Sequence, residues 1–282
     1  MAAITGTPGD DKLTGTNAGD LIRGLAGNDF VLALDGDDDI FGNSGNDNLQ
    51  GGNGNDEIEG DDGDDTIFGG NNDDFLLGDG TEAENFFGND VIFAGTGNDT
   101  VDGGRGDNQL FGQEGNDRMF GGGGSDIIEG GSGNDTLFGD NRTGSAGDRL
   151  IGVDDLRFLV RPGQGEIDYL TGGNGLGLNA GQDVFVLGDV NRVYYDDGIV
   201  NNSGRSDFAV ITDFSDGSDR IELKGGVTYS LSSVSNLPGG VSGVGIFARL
   251  DNSNELIGVV RGVNASQLQI NNGAAGSLTT IS

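Results

Sequence analysis

Aspartate recurs at one position of a nine-residue repeat, and this regularity is the feature of the chain best suited to chemistry. In the copy GGNGNDEIE at 51–59, glycine occupies positions one, two and four, aspartate position six and isoleucine position eight. Carboxylate oxygens, together with the backbone carbonyls of glycine-rich turns, are the ligands that hard cations such as calcium prefer. The pattern therefore indicates binding of many cations along an array.

Two positions of the repeat are held almost without exception. Position eight is apolar in every copy, from Leu13 to Phe185, and position six is aspartate in every copy but one, where Asn108 stands. Where the turns after Gly78 and Gly139 are lengthened, the register resumes at GNDVIF and AGDRLI. The sixth-position aspartates are Asp11, Asp20, Asp29, Asp38, Asp47, Asp56, Asp65, Asp74, Asp90, Asp99, Asp117, Asp126, Asp135, Asp148, Asp168 and Asp183.

The elements that must position these aspartates are short strands joined by tight turns. The last residues of each copy alternate inward apolar and outward side chains, which is the pattern of a strand. The preceding glycines allow backbone angles that other residues avoid, so they predict a turn. Stacked copies of turn and strand predict an all-β solenoid of parallel strands in which no single copy is stable alone.

Apolar burial alone is too small to hold such an array together. Each copy buries one aliphatic side chain, whereas nine residues lose conformational freedom. Stacked aspartates also repel one another at the spacing of neighbouring strands. A hard cation shared between neighbouring turns would remove the repulsion and supply the missing free energy, which would couple metal binding to folding.

The copies GGNGNDEIE, GDDGDDTIF, GGGGSDIIE and GGSGNDTLF resemble the RTX (hemolysin-type) calcium repeat, GGxGxDxUx. The resemblance implies a parallel β-roll over residues 6–187, with two nonapeptides in each coil and calcium between the turns. It also implies that the sixth-position aspartates are calcium ligands together with turn carbonyls, and that the position of Asn108 departs from the pattern. The alternative is that these aspartates only cap turns, as aspartate commonly does.

Residues 188–282 are predicted to form a C-terminal β-rich domain. The stretches LTGGN, QDVFVLGD and VITDFSDGSDRIELKG resemble the domain that follows the roll in RTX proteins exported by type I secretion. The short alternations FAVI, RIEL, GIFARL and LIGVV predict antiparallel strands. The resemblance implies a C-terminal export signal, the type I secretion machinery as a partner and a secreted, extracellular or cell-surface location. Asp213, Asp216 and Asp219 could form a further cation site or only a polar turn.

Composition excludes several classes of function. A net charge of −33 without a basic patch opposes binding to nucleic acid or to an anionic membrane. The chain contains no cysteine and no histidine, which excludes disulfides, Ser-His-Asp and Cys-His catalysis and an HExxH zinc site. No apolar run reaches the ~18 residues of a membrane span. The N-terminal residues lack the basic and apolar stretches of a secretory signal peptide, so we expect that the protein either stays inside the cell or leaves by a route that does not read the N-terminus.

These observations favour a secreted, calcium-loaded, non-catalytic structural, surface or export module. One alternative is a calcium-dependent β-helix lyase or epimerase acting on acidic polysaccharide, although Lys12 and Lys224 are the only lysines it could use. Another is the C-terminal part of a larger RTX toxin or protease.

Aromatic residues suggest two further contacts. Tyr194 and Tyr195 could stack on a cell-surface or extracellular polysaccharide or could form a core pair. Phenylalanines at the ninth position could form a docking stripe or could pack across strands. The phenylalanines expected to stack are Phe68, Phe93 and Phe111 in one ladder, and Phe120 and Phe138 in another.

Overall fold

The structure is a computed structural model, and it describes residues 1–80, 87–140, 147–153, 167–172, 182–187, 208–214, 219–250, 253–272 and 278–282. Two compact units make up the chain. The first comprises Met1–Ile128 and Asp140–Thr143, and the second comprises Glu129–Gly139 and Gly144–Ser282. The described residues of both units are mostly strand, which confirms the predicted all-β class.

The first unit is a stack of short strands that alternate between two sheets. Odd-numbered strands pair in the order β1-β3-β5-β7-β9-β11-β13, and even-numbered strands pair in the order β2-β4-β6-β8-β10-β12. Every one of these pairs is parallel, so two nonapeptides make one coil, as a β-roll requires. The strands are β1 Ala3–Thr5, β2 Lys12–Thr14, β3 Leu21–Ala26, β4 Phe30–Asp35, β5 Asp39–Ser44, β6 Asn48–Asn53, β7 Glu57–Asp62, β8 Thr66–Asn71, β9 Phe75–Leu77, β10 Val91–Thr96, β11 Thr100–Asp102, β12 Gln109–Glu114 and β13 Arg118–Gly122.

The register keeps each position of the repeat in line with its counterpart in the next coil. Ile22 pairs with Ile40, and Ile40 pairs with Ile58. These eighth-position side chains are fully buried, as the periodicity predicted. The interior of the unit is therefore little more than a file of single aliphatic side chains on each sheet.

The lengthened turn after Gly78 does not disturb this register. On its far side Ile92 pairs with Ile67 and Phe93 pairs with Phe68. Strand β9 ends at Leu77 and β10 begins at Val91, and additional chain length between two strands costs little. The structure thus confirms that the repeat resumes at GNDVIF.

The second unit continues the parallel pairing and then changes to antiparallel pairing. Its sheets have the orders β15-β17-β19-β23-β22-β21 and β16-β18-β20-β25-β24. Short 3₁₀ turns lie at Pro238–Gly240 and Ala265–Gln267. The remaining strands, of which β14 begins in the first unit, are β14 Ile127–Ser132, β15 Thr136–Asp140, β16 Arg149–Val153, β17 Ile167–Thr171, β18 Val184–Val186, β19 Phe208–Ile211, β20 Arg220–Lys224, β21 Thr228–Val234, β22 Gly243–Leu250, β23 Ser253–Val260, β24 Ile270–Asn271 and β25 Leu278–Ile281.

Two of the stretches expected to be antiparallel are not purely so. FAVI (β19) pairs in parallel with both β17 and β23, and RIEL (β20) pairs in parallel with β18 but antiparallel with β25. For β20 the reason is visible in FSDGSDRIE at 214–222, a degenerate copy with glycine at position four, aspartate at six and isoleucine at eight. GIFARL and LIGVV lie in β22 and β23, which are antiparallel to each other as predicted.

The second unit also contains a broader apolar core than the first. The buried side chains of this cluster come from several strands and from the turn before β22: Phe208, Val210, Leu237, Val241, Leu256 and Val259. Because this core draws on side chains distant in sequence, its stability does not depend on one residue per coil. Among the described residues, no helix combines the length and the apolar character needed to cross a membrane.

Candidate metal centre

Nearly every sixth-position side chain lies at the end of a turn, directly before a strand, and one of its oxygens accepts a backbone hydrogen bond; Asp168 differs because it lies within β17. The carboxylate Oδ1 of Asp56 accepts a hydrogen bond from the N–H of Asp38 at 2.9 Å, and Oδ1 of Asp74 accepts one from the N–H of Asp56 at 2.8 Å. The same contact links Asp47 to Asp65 at 2.7 Å. Each carboxylate thus reaches back to the preceding coil of its own sheet.

These contacts order the aspartates into two files, one along each sheet. All sixteen predicted residues lie in described parts of the chain. Within each unit, successive members of a file are linked by a hydrogen bond from the backbone N–H of one to the side chain of the next. Their role as calcium ligands stays a prediction. In the first unit one file comprises Asp20, Asp38, Asp56, Asp74, Asp99 and Asp117, and the other comprises Asp11, Asp29, Asp47, Asp65, Asp90, Asn108 and Asp126.

The second unit repeats the arrangement and adds a member that the sequence argument placed elsewhere. Oδ1 of Asp168 accepts from the N–H of Asp135 at 2.8 Å, and Oδ1 of Asp183 accepts from the N–H of Asp148 at 3.0 Å. Oδ1 of Asp219 accepts from the N–H of Asp183 at 3.2 Å, so Asp219 continues this file. The short signal GSDRI, which keeps positions four, six and eight, could have identified it.

The other carboxylate oxygen distinguishes most of these residues from ordinary turn caps. Because a buried polar atom without a partner is costly, a repeated series of such atoms points to a missing ligand. In the first unit Oδ2 is buried and has no hydrogen-bond partner in Asp29, Asp38, Asp47, Asp56, Asp65, Asp74, Asp90 and Asp99.

The glycine at position one leaves the space that this second oxygen uses. A Cβ added to Gly60 would lie 2.3 Å from Oδ2 of Asp65 and 2.6 Å from the carbonyl oxygen of Gly78. A Cβ added to Gly51 would meet Oδ2 of Asp56 at 2.2 Å in the same way. A carboxylate oxygen and a carbonyl oxygen therefore border the same small space, where neither supplies a hydrogen. A hard cation is the species that such an arrangement fits.

Burial shifts the ionisation of these carboxyl groups in the direction expected for a site that lacks positive charge. Loss of water raises the pKa of Asp47 and Asp56 to about 6, that of Asp74 and Asp90 to about 8 and that of Asp65 to about 9. The N–H donated by the preceding coil lowers each pKa, but by less than burial raises it. Without a cation, Asp65, Asp74 and Asp90 therefore hold protons near neutral pH, whereas a bound cation would favour the ionised carboxylates.

The first two copies behave differently and fit the alternative of turn capping. Oδ2 of Asp20 accepts hydrogen bonds from the N–H of Thr16 at 2.7 Å and from its hydroxyl at 2.8 Å. Oδ2 of Asp11 accepts from the hydroxyl of Thr7 at 2.9 Å and from its N–H. The backbone hydrogen bond from Ala2, with the contacts from Thr16, lowers the pKa of Asp20. Threonine at position two therefore supplies the second oxygen with donors.

Side chains alone do not complete a metal site. Within the described ranges, no group of three or more acidic residues converges closely enough to hold an ion. Calcium takes 6–8 oxygen ligands. A cation at these turns must therefore draw on backbone carbonyls, and the stacked glycine-rich turns present them.

The comparison with known families agrees with this chemistry. The RTX calcium-binding nonapeptide repeat (4 copies) matches residues 5–40, 14–49, 41–76, 86–119 and 111–141. These parts of the chain match RTX calcium-binding repeats and form a parallel β-roll, and calcium is the ion that such repeats bind. None of the curated proteins compared with the chain matches it.

The other candidate sites have separate outcomes. Oδ1 of Asp213 accepts a hydrogen bond from the backbone N–H of Gly172 at 3.0 Å, whereas Asp219 belongs to an aspartate file. Asp216, Tyr194 and Tyr195 lie outside the described residues.

The predicted phenylalanine ladder is present on the even-numbered sheet. The rings of Phe68 and Phe93 stack with centroids 5.1 Å apart, and those of Phe93 and Phe111 stack at 4.9 Å. Stacking of this kind is the cross-strand packing weighed from the sequence. Docking on this ladder stays a prediction, as does stacking between Phe120 and Phe138.

Proposed function

We propose that this protein is a secreted, non-catalytic module whose β-roll folds when calcium binds between its turns. One observation carries the proposal: in coil after coil, a buried Oδ2 and a backbone carbonyl oxygen border the same space, and neither supplies a hydrogen. Such an array is costly to form in the absence of an ion. The same atoms become ligands when an ion is present, so binding and folding are one equilibrium.

The residues divide this work between orientation and binding. The N–H of each preceding aspartate holds Oδ1 and thereby fixes the direction of Oδ2. The position-one glycine keeps the space beside Oδ2 open. Calcium, when bound, supplies the positive charge that lets the buried carboxylates ionise. Extracellular calcium modules have dissociation constants of about 10⁻⁴–10⁻³ M, so calcium would be scarce for this site in the cytosol and sufficient outside.

This coupling supports export of an unfolded chain by the type I secretion machinery, with folding at an extracellular or cell-surface location. The C-terminal strand β25 is consistent with that order of events. Thr279 and Ile281 are fully buried, and the strand pairs with β20 and β24. A signal in this tail would be readable only before the sheet forms.

The proposal assigns no chemistry beyond calcium binding. The chain has no histidine or cysteine, and in its described acidic files Oδ1 of Asp56 and of Asp65 is held by a backbone N–H. Extracellular polysaccharide stays a proposed partner, as a ligand rather than a substrate. An increase in unsaturated-product absorbance with alginate or pectate would instead support a lyase.

Circular dichroism and a calcium count test the proposal together. In chelator at neutral pH the β-roll signal should be greatly reduced, and it should return cooperatively with calcium but not with the same concentration of magnesium, which demands a stricter geometry. An unchanged spectrum in chelator would contradict the proposal.

A pair of matched variants locates the ions. Asp56→Ala should bind less calcium than the parent chain, because it removes a buried Oδ2. Asp62→Ala removes the same charge from an exposed side chain in β7 and should bind as many ions as the parent. Equal losses in both variants would indicate a general charge effect in place of specific ligation.

A further inference from the structure

The exception at position six has its own hydrogen-bond pattern. Asn108 is 1% exposed and lies in the file between Asp90 and Asp126. Its Oδ1 accepts from the N–H of Asp90 at 2.9 Å, and its own N–H donates to Oδ1 of Asp126 at 2.8 Å. Asn108 thus keeps the backbone contacts that the aspartates make.

Its amide nitrogen occupies the place of the second carboxylate oxygen. Nδ2 donates to the carbonyl oxygens of Gly106 and Gly121, each at 3.3 Å. A Cβ added to Gly103 would lie 2.8 Å from Nδ2 and 2.6 Å from the Gly121 carbonyl. At Gly60 the corresponding neighbours are Oδ2 of Asp65 at 2.3 Å and the carbonyl of Gly78 at 2.6 Å.

The comparison shows what differs between the two kinds of turn. In the aspartate turns with an unpartnered Oδ2, that oxygen and a carbonyl oxygen border the same space, and neither can donate a hydrogen to the other. In the asparagine turn an N–H₂ group, which supplies two hydrogens, faces the carbonyls directly. The amide is also neutral, so this position adds no negative charge to a file of buried carboxylates.

We propose that the turn of Asn108 is a metal-free position of the roll, where the side-chain amide replaces the bound cation. The proposal rests on calcium binding by the other turns. It adds that this coil is closed by its own hydrogen bonds, so it forms a point inside the array that is stable without an ion and from which ordering can spread when calcium is added. Repeat arrays can nucleate at any such point and propagate to their neighbours.

Two reciprocal substitutions test the proposal. Asn108→Asp creates a buried Oδ2 at the same place, so it should gain one calcium ion per chain by elemental analysis and lose thermal stability in chelator. Asp65→Asn should lose one ion and gain stability in chelator. Asn55→Asp adds the same charge at an exposed position of a turn and should change neither quantity.

Hydrogen exchange supplies a second readout that needs no calcium. In chelator the N–H of Asp90, which is held by Asn108, should exchange more slowly than the N–H of Asp47, which is held by Asp65. Asn108→Asp should abolish that difference. Equal exchange in the parent chain, or an unchanged calcium count in folded Asn108→Asp, would overturn the proposal.

The outcomes separate this proposal from the general function. If the parent chain binds no calcium, the proposed function fails, but slow exchange at Asp90 would still support closure by the amide. If Asn108→Asp does not fold even in calcium, Asp65→Asn decides: no gain in chelated stability would refute the replacement of an ion by an amide.

Discussion

A single methyl group at position one of the repeat should disable one turn. Gly51 is buried, and its φ is not in the left-handed region, so alanine is compatible with the backbone there. Its Cβ, however, would lie 2.2 Å from Oδ2 of Asp56 and 2.7 Å from the carbonyl oxygen of Gly69. Both distances are shorter than van der Waals contact, and both atoms are proposed ligands. Gly51→Ala therefore tests the site without removing a charge.

The expected cost follows from the size of the overlap. Adding a methyl group to a filled interior destabilises a protein by about 1–3 kcal/mol. For a chain of this length, each kcal/mol lowers the melting temperature by about 2–4 °C. In saturating calcium, Gly51→Ala should therefore melt about 2–12 °C below the parent and bind one ion fewer.

Gly123→Ala is the matched control for this experiment. A Cβ at Gly123 would meet no heavy atom within 4 Å, and this residue also avoids the left-handed region. Its melting temperature and calcium count should equal those of the parent, as measured by circular dichroism and elemental analysis. The reasoning is refuted if Gly51→Ala retains both values, or if the two variants are equally destabilised.

Three further predictions concern pH, the second core and the aromatic ladder. Burial raises the pKa of Asp47 from 3.8 to about 6 and that of Asp74 from 3.8 to about 8. Between pH 3.8 and about 8 the metal-free folded chain therefore binds more protons than the unfolded chain. The stability that these carboxyl groups contribute is fully present below about pH 4 and is lost as pH rises through 6 to 8. Urea unfolding in chelator should show this trend, and the opposite slope would contradict it; in calcium, protons compete with the ion and the dependence should reverse. Leu256→Ala removes a fully buried member of the second core and should cost about 2–5 kcal/mol in calcium and in chelator alike. A cost seen only in calcium would mean that this core also depends on the ion. Phe93→Ala removes two ring stacks and should cost about 1–3 kcal/mol, since each stack contributes about 0.5–1.5 kcal/mol. An unchanged denaturant midpoint would show that the ladder is only a surface feature.

The periodic part of the fold was predictable because its two strict positions report directly on geometry. The buried file at position eight and the pairing of Ile92 with Ile67 across the lengthened turn both follow from counting residues. The parallel pairing of β19 and β20 was harder to predict because their repeats are degenerate. In β19, Ala209 pairs with Asp168, so the strand carries no carboxylate at the position that identifies the repeat.

Site details that depend on side-chain partners were beyond the sequence pattern. Asp20 and Asp65 occupy the same position of the repeat. Oδ2 of Asp20 accepts two hydrogen bonds from Thr16, whereas Oδ2 of Asp65 has no hydrogen-bond partner. Likewise, the sequence pattern indicates only that Asn108 lacks a carboxylate ligand. The structure shows that its side-chain amide donates hydrogen bonds to two backbone carbonyl oxygens. Such differences arise from contacts across coils, and a pattern along the chain does not contain them.

An anomalous difference map from crystals grown in calcium measures the central claim most directly. The account predicts discrete peaks in the turns beside Oδ2 of Asp29, Asp47 and Asp65, and none beside Nδ2 of Asn108. An intact roll with no anomalous peaks in its aspartate turns would contradict it.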